Sequence, residues 1–175
     1  MKFSRSTKCS LKFMTEAKRA TLDKVMDEYS CVVNVFIGRF WNKTPKKSEL
    51  LKEVIAINDS WLGFALRQCA AREAIDMVKT VRRRWRHKPS KQTMPVHRGN
   101  RMSLNQNVVL LQEPVKAKEF DGWLHLRNIG RKTIFDVPIQ FHRHYNRLKR
   151  RGKFCQSYVI VRNKHGAYVQ LTFEI

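Results

Sequence analysis

Between Thr15 and Trp41 the residues Leu22, Val25, Met26, Tyr29, Val32, Val33, Phe36, Ile37 and Phe40 return every three or four positions. That period marks one face of a long α-helix. Thr15 reads as its N-cap, and Glu16 lies in the first turn, where a negative charge suits the helix dipole. Gly38 and the segment 42–45 read as its end. A stripe of this length has to be buried. The chain has 175 residues, 42% of them apolar, which is enough for a real core and far from a disordered polycation.

Helical spacing continues beyond it. Ser48 reads as the cap of a short helix over 49–57, with Leu50, Leu51, Val54 and Ile55 facing inward. Asn58, Asp59 and Ser60 read as the cap of a third helix over 61–86. Its inner side holds Leu62, Ala65, Leu66, Cys69, Ala70, Ala74, Met77, Val78 and Val81, and Pro89 ends it. Residues 88–106 read as linker.

The period then shortens to two. Strands are expected over 108–111, 123–126 and 133–137, the last closed by Pro138, and a hairpin over 154–162 and 167–175. "FHRHYNRLKRRG" reads as a short basic helix stopped by Gly152. Residues 2–13 form one more strand, with Phe3, Cys9, Leu11 and Phe13 alternating. A lone strand has to pair. The expected fold class is therefore α+β: a small β-barrel from residues 1–13 and 92–175, with an α-helical bundle, 14–91, inserted after its first strand.

Charge restricts the function. With 36 Lys and Arg against 14 Asp and Glu, the net charge is +22, and residues 77–112 hold nine cations and no acid. Such a domain repels itself unless it meets a polyanion. Nucleic acid is the first candidate and an acidic membrane surface the second. No apolar run approaches the length of a membrane span, and no signal peptide is visible, so an intracellular protein is expected. Four cysteines without a C-x-x-C pair read as reduced, buried thiols.

Catalytic chemistry is not written in the motifs. The acids are scattered, and no HExxH, phosphate loop or nucleophile elbow occurs. His87, His97, His125 and His165 read as solvated, and His142 and His144 as pointing apart on a helix. The chain reads as a non-enzyme without metal or cofactor.

Three basic clusters instead point to phosphate. The first runs from the third helix into the linker: Lys79, Arg82, Arg83, Arg86, Lys88, Lys91, Arg98 and Arg101. Trp85 among them is either a core anchor or a stacking platform. The second is "RNIGRK", with Arg127, Arg131 and Lys132, where Gly130 would allow a phosphate close to the backbone. The third is "RHYNRLKRRGK", with Arg143, Arg147, Lys149, Arg150, Arg151 and Lys153. Lys8 on the first strand, Arg67 and Arg72 on the third helix, and the base-edge readers Asn34 and Gln68 complete the candidates.

The order of these segments resembles the N-terminal half of TnpB, the transposon-encoded RNA-guided nuclease, and of the compact type V CRISPR effectors. The residues carrying the likeness are "YSCVVNVF" at 29–36, "ALRQCAAREAIDMV" at 65–78, "LHLRNIGRKTIFDVPI" at 124–139 and "SYVIVRNKHGAYVQLTFEI" at 157–175. The resemblance implies an oligonucleotide-binding-type barrel, the wedge domain, with an inserted helical recognition domain. It implies a structured guide RNA held by the wedge, and target duplex DNA contacted near Asn34, Gln68 and Arg72. The protein would read duplex shape and a short motif while base pairing reads the rest. The sequence ends at Ile175, where that family continues into its RuvC nuclease. The resemblance therefore implies a non-catalytic binding part, with a separate RuvC-containing polypeptide as a further partner. That partner, not this chain, would need Mg. The implied location is the prokaryotic cytoplasm, nucleoid-associated when on DNA. Two other readings are a stand-alone RNA-binding small-barrel protein, for example ribosome-associated, and a basic regulator of an acidic protein.

Overall fold

The structure, a computed structural model, describes residues 3–113 and 115–175. Among these residues the chain forms four α-helices and two antiparallel sheets. Strand β1 is Ser4–Ser10, followed by helices α1 (Glu16–Phe40), α2 (Leu50–Ala56) and α3 (Phe64–Arg84). A single 3-10 turn, Pro89–Lys91, leads to β2 (Arg101–Asn105), β3 (Val109–Gln112), β4 (Gly122–Leu126) and β5 (Phe135–Ile139). Helix α4 (Arg143–Arg151) precedes the hairpin β6 (Lys153–Asn163) and β7 (Gly166–Glu174).

All nine residues of the opening stripe are buried on α1. Thr15 caps the helix, accepting the Lys18 N–H at 3.4 Å. Gly38 does not break it, because the helix continues to Phe40, whose ring stacks on Phe36 at 5.4 Å. Helix α2 is too short to bury two rows. Leu50, Val54 and then Ile57 go inward, while Leu51 and Ile55, expected inside, are exposed. Ser48 does not cap it. Glu49 occupies the cap position and takes the Lys46 N–H at 3.0 Å.

Helix α3 begins three residues later than its spacing suggests, at Phe64 with Gly63 as cap and no side-chain capping bond. Asn58, Asp59 and Ser60 do not cap it. The Gly63 N–H goes instead to the Ile129 carbonyl, and the Ser60 hydroxyl donates to Glu28. Residues 61–63 are thus held by other parts of the fold rather than by a local cap.

The sheets correct the barrel. The seven strands divide into β1-β7-β6-β2 and β3-β4-β5, with one bridge between Ser10 and Gln140. Among the described residues no barrel closure is found, because β1 and β2 edge one sheet and β3 and β5 the other, with no ladder between them. The first strand does find a partner, pairing along its whole length with β7 from Ser4–Glu174 to Ser10–Tyr168. Thr7, Cys9 and Leu11 are buried while Phe3 is exposed.

The expected linker contains a strand. In β2, Met102 and Leu104 are buried between polar neighbours and pair with Ile160 and Tyr158. Pro138 lies within β5 rather than after it, which an edge strand tolerates because no ladder donor is lost. One apolar cluster runs through α1, α3, β2, β4, β6 and β7, so helices and sheets share a core.

Candidate nucleic-acid interface

Helix α4 sorts its side chains by face. Tyr145 and Leu148 point inward, with Tyr145 stacked on Phe141 at 4.0 Å and edge-on to Phe173 at 5.7 Å. Arg143, Arg147, Arg150 and Arg151, three, four or one residue apart, project from the opposite side with His144. These five line a hollow of about 640 Å³. None of the four arginines has a carboxylate partner among the described residues. Arg147 meets only the His144 Nδ1, at 2.9 Å, and Arg150 only the Asn146 carbonyl, at 3.3 Å.

The start of α4 is fixed by a histidine. His142 sits outside the helix as its cap. Its Nδ1 accepts the His144 N–H at 3.2 Å and its Nε2 donates to the Lys8 carbonyl at 2.8 Å. Its ring therefore lies nearly parallel to that of His144, 6.2 Å away, rather than pointing apart as helical residues would. The same bond places α4 beside β1, where Lys8, Lys12, Arg19 and His165 line a second basic hollow of about 410 Å³.

The other candidates separate into free and engaged cations. Lys149, on the side of α4, binds Glu113 at 2.6 Å, and Tyr145 donates to the same carboxylate at 3.3 Å. Arg67 gives its guanidinium to the carbonyls of Val54 and Ile57, which pins α2 to α3. Asn34 brackets the His97 backbone, donating to its carbonyl at 3.0 Å and accepting its N–H at 2.8 Å. Gln68 lies partly buried on α3. Arg127 donates to the Gln106 carbonyl at 3.3 Å.

Around the end of α3, Arg82 lies over Trp41 at 4.1 Å and donates to the Trp41 carbonyl at 2.6 Å. Lys91 covers Trp85 at 5.3 Å, and Gln92 donates to the Trp85 carbonyl. Lys79, Arg83, Arg86 and Lys88 remain exposed, as does Lys153 at the start of β6.

The 127–132 turn carries Asn128, Arg131 and Lys132 at positive φ, with Arg131 over Trp61 at 5.6 Å. Gly130 does permit a close backbone approach, but to this protein itself. A Cβ there would collide with the Trp61 carbonyl and the Gly63 nitrogen. That space is not open to a phosphate.

One charged cluster escaped the sequence reading. Glu73 is 5% exposed. Its Oε2 accepts the Tyr29 hydroxyl at 2.6 Å and the Ser103 N–H at 3.1 Å, while its Oε1 meets Arg101 at 2.8 Å. His97, expected in solvent, is buried and faces the same carboxylate at 3.6 Å. Burial pushes the Glu73 carboxyl up, but His97, the Tyr29 hydroxyl and the Arg101 charge hold it below its ordinary value. Burial and the same carboxylate push Tyr29 well up. A signal was present: Glu73 stands between Ala70, Ala71 and Ala74 on an apolar face, where an acid needs a partner. Arg162 makes a parallel cluster with Asp23 and Asp27 on α1 and the Gly99 carbonyl.

The thiols divide. Cys9 and Cys69 are buried, and burial raises them to about 12 and about 11, while Cys31 and Cys155 are exposed, contrary to expectation. No three His, Cys, Asp or Glu among the described residues are grouped to hold a metal, and no helix there is long and apolar enough to cross a membrane. Compared with family models and with curated proteins, the chain matches neither.

Proposed function

We propose that this protein binds structured RNA through the arginine face of α4, as the non-catalytic nucleic-acid-binding part of an RNA-guided DNA-targeting effector. The observation that carries the reading is that face: four guanidinium groups on one side of a short helix, free of carboxylates, beside the basic hollow at Lys8. Planar guanidinium groups match phosphate oxygens bidentately, and several together track a backbone. The net charge of +22 supports a polyanionic partner. The RNA-guided step is supported by the resemblance in segment order. In that scheme the exposed cations Lys79, Arg83, Arg86 and Lys88 face the target duplex.

Sequencing the RNA that co-purifies tests the reading. One structured species should dominate, and duplex DNA should bind more tightly once that RNA is present. Random cellular RNA would remove the guided step, and absence of salt-sensitive RNA binding would remove the RNA reading altogether.

A further inference from the structure

Helix α3 and the segment 95–105 leave between them an open groove of about 610 Å³. Small-ligand sites span roughly 300–1,000 Å³. The walls are mostly apolar, with Met77 and Val81 from α3, Pro95 and Val96 from the segment, and Leu104 from β2. Of the charged residues that also line it, Glu73 and Arg101 are paired with each other. Arg72 and Arg98 line it, both exposed and without a carboxylate partner among the described residues. Asp76 also lines it, exposed and likewise unpartnered.

His97 also lines the groove, but the fold already engages it: its Nδ1 stands 3.2 Å from the Gly99 nitrogen and 2.9 Å from the Ser30 hydroxyl, and its Nε2 faces the Glu73 carboxylate at 3.6 Å. What remains for a ligand is the apolar walls with Arg72, Arg98 and Asp76.

We infer that this groove holds a single unpaired base of the bound RNA, an inference that rests on the RNA-binding reading above. Apolar walls suit a flat ring. The Asp76 carboxylate accepts from amino and ring N–H groups on its Watson–Crick edge, and the two arginines hold the flanking phosphates or stack on the base. A base inside a duplex has that edge occupied and is excluded. Guanine, with two adjacent donors on the edge, suits a carboxylate best. None of these groups belongs to the α4 face, so duplex-like and single-nucleotide recognition are separate in the molecule.

The test uses the full chain and two labelled RNA hairpins with identical stems, one carrying a single unpaired guanosine, titrated by fluorescence anisotropy. The bulged hairpin should bind about tenfold more tightly. Val96→Trp, at a 66% exposed wall residue, fills the groove, and Asp76→Ala removes the acceptor. Each should abolish the advantage while leaving the paired hairpin's affinity and the far-UV circular dichroism unchanged. Equal affinity of the wild-type chain for both hairpins, with binding still salt-sensitive, would overturn the groove assignment and leave the RNA reading standing. An advantage that persists in both variants would overturn it too. Loss of salt-sensitive binding to either hairpin would bring down the RNA reading and this inference with it.

Discussion

Cations near α1, α3 and β2 and cations on α4 are used in opposite ways. Arg101 meets Glu73, and Arg162 meets Asp23 and Asp27, so in both cases the charge joins a strand residue to a helix. On α4, Arg143, Arg147, Arg150 and Arg151 meet no carboxylate among the described residues, and the one cation that does, Lys149, lies on another face. Position in the sequence does not separate these groups, since Arg98 and Arg101 are neighbours with different fates. What separates them is whether an acid was folded within reach. The cations therefore form two populations, one paired within the fold and one without a carboxylate among the described residues.

The comparison breaks most visibly at Glu73. Replacing it by Ala leaves the buried Tyr29 hydroxyl with only the Ser103 carbonyl, takes the acceptor from the Ser103 N–H and the half-exposed Arg101, and removes the carboxylate that faces buried His97. Removing one member of such a network costs about 3–5 kcal/mol. The denaturant midpoint of Glu73→Ala should fall accordingly, while RNA affinity per folded molecule stays as it was. A midpoint within error of wild type would mean that the cluster does not hold β2 to α3.

Acid should act on the same cluster. The folded Glu73 carboxyl lies below its ordinary value of 4.5, so its contribution is present above that value and is lost as pH falls through the folded one. Thermal midpoints measured downward from about pH 5 should therefore drop. Glu73→Gln, which carries no titrating carboxyl, should drop less. Equal slopes for the two proteins would assign acid lability to other carboxylates.

The α4 population should respond in the reverse sense. Among the described residues, Arg143→Ala, Arg147→Ala and Arg151→Ala together remove no side-chain hydrogen bond except the one from Arg147 to His144. Stability should stay within about 0.5 kcal/mol per position. Affinity for RNA should fall, and the slope of log K against log salt should become shallower by about 0.7–0.9 for each phosphate that the triple variant no longer neutralises. An unaltered slope would place the RNA on another face.

How far this was legible in the sequence depended on the range of the determinant. The α1 stripe was read residue for residue because its period repeats within one element. Helix α4 was read as a short basic helix stopped by Gly152, but which of its cations share a face was not read. Strand β2 was hidden because Met102 and Leu104 alternate over only five residues inside a basic, Pro- and Gly-containing stretch. The barrel failed for a related reason. Alternation shows that a strand exists but not which edge it meets, so the split into two sheets had no local signal. Asn34 and Arg67 looked like readers of nucleic acid, and their acceptors, the backbones of His97 and of residues 54 and 57, lie far enough along the chain that no spacing announces them.

The smallest effect lies at the end of α3, where the two populations stand side by side. Arg82 holds the Trp41 carbonyl and covers its ring, which joins the end of α1 to the end of α3. Arg83 and Arg86 are exposed with no such side-chain contact. Arg82→Ala should cost about 1 kcal/mol of stability, because it removes the hydrogen bonds to the Trp41 carbonyl and the Gln92 amide oxygen together with the cation–π interaction. Arg83→Glu with Arg86→Glu should leave the thermal midpoint nearly unchanged and weaken duplex binding. The contrast needs all three positions, because a triple reversal would mix a structural loss with a binding loss. If Arg82→Ala unfolds no more easily than the double variant, its hold on Trp41 contributes nothing to stability. Arg82 would then belong with the cations left for a partner.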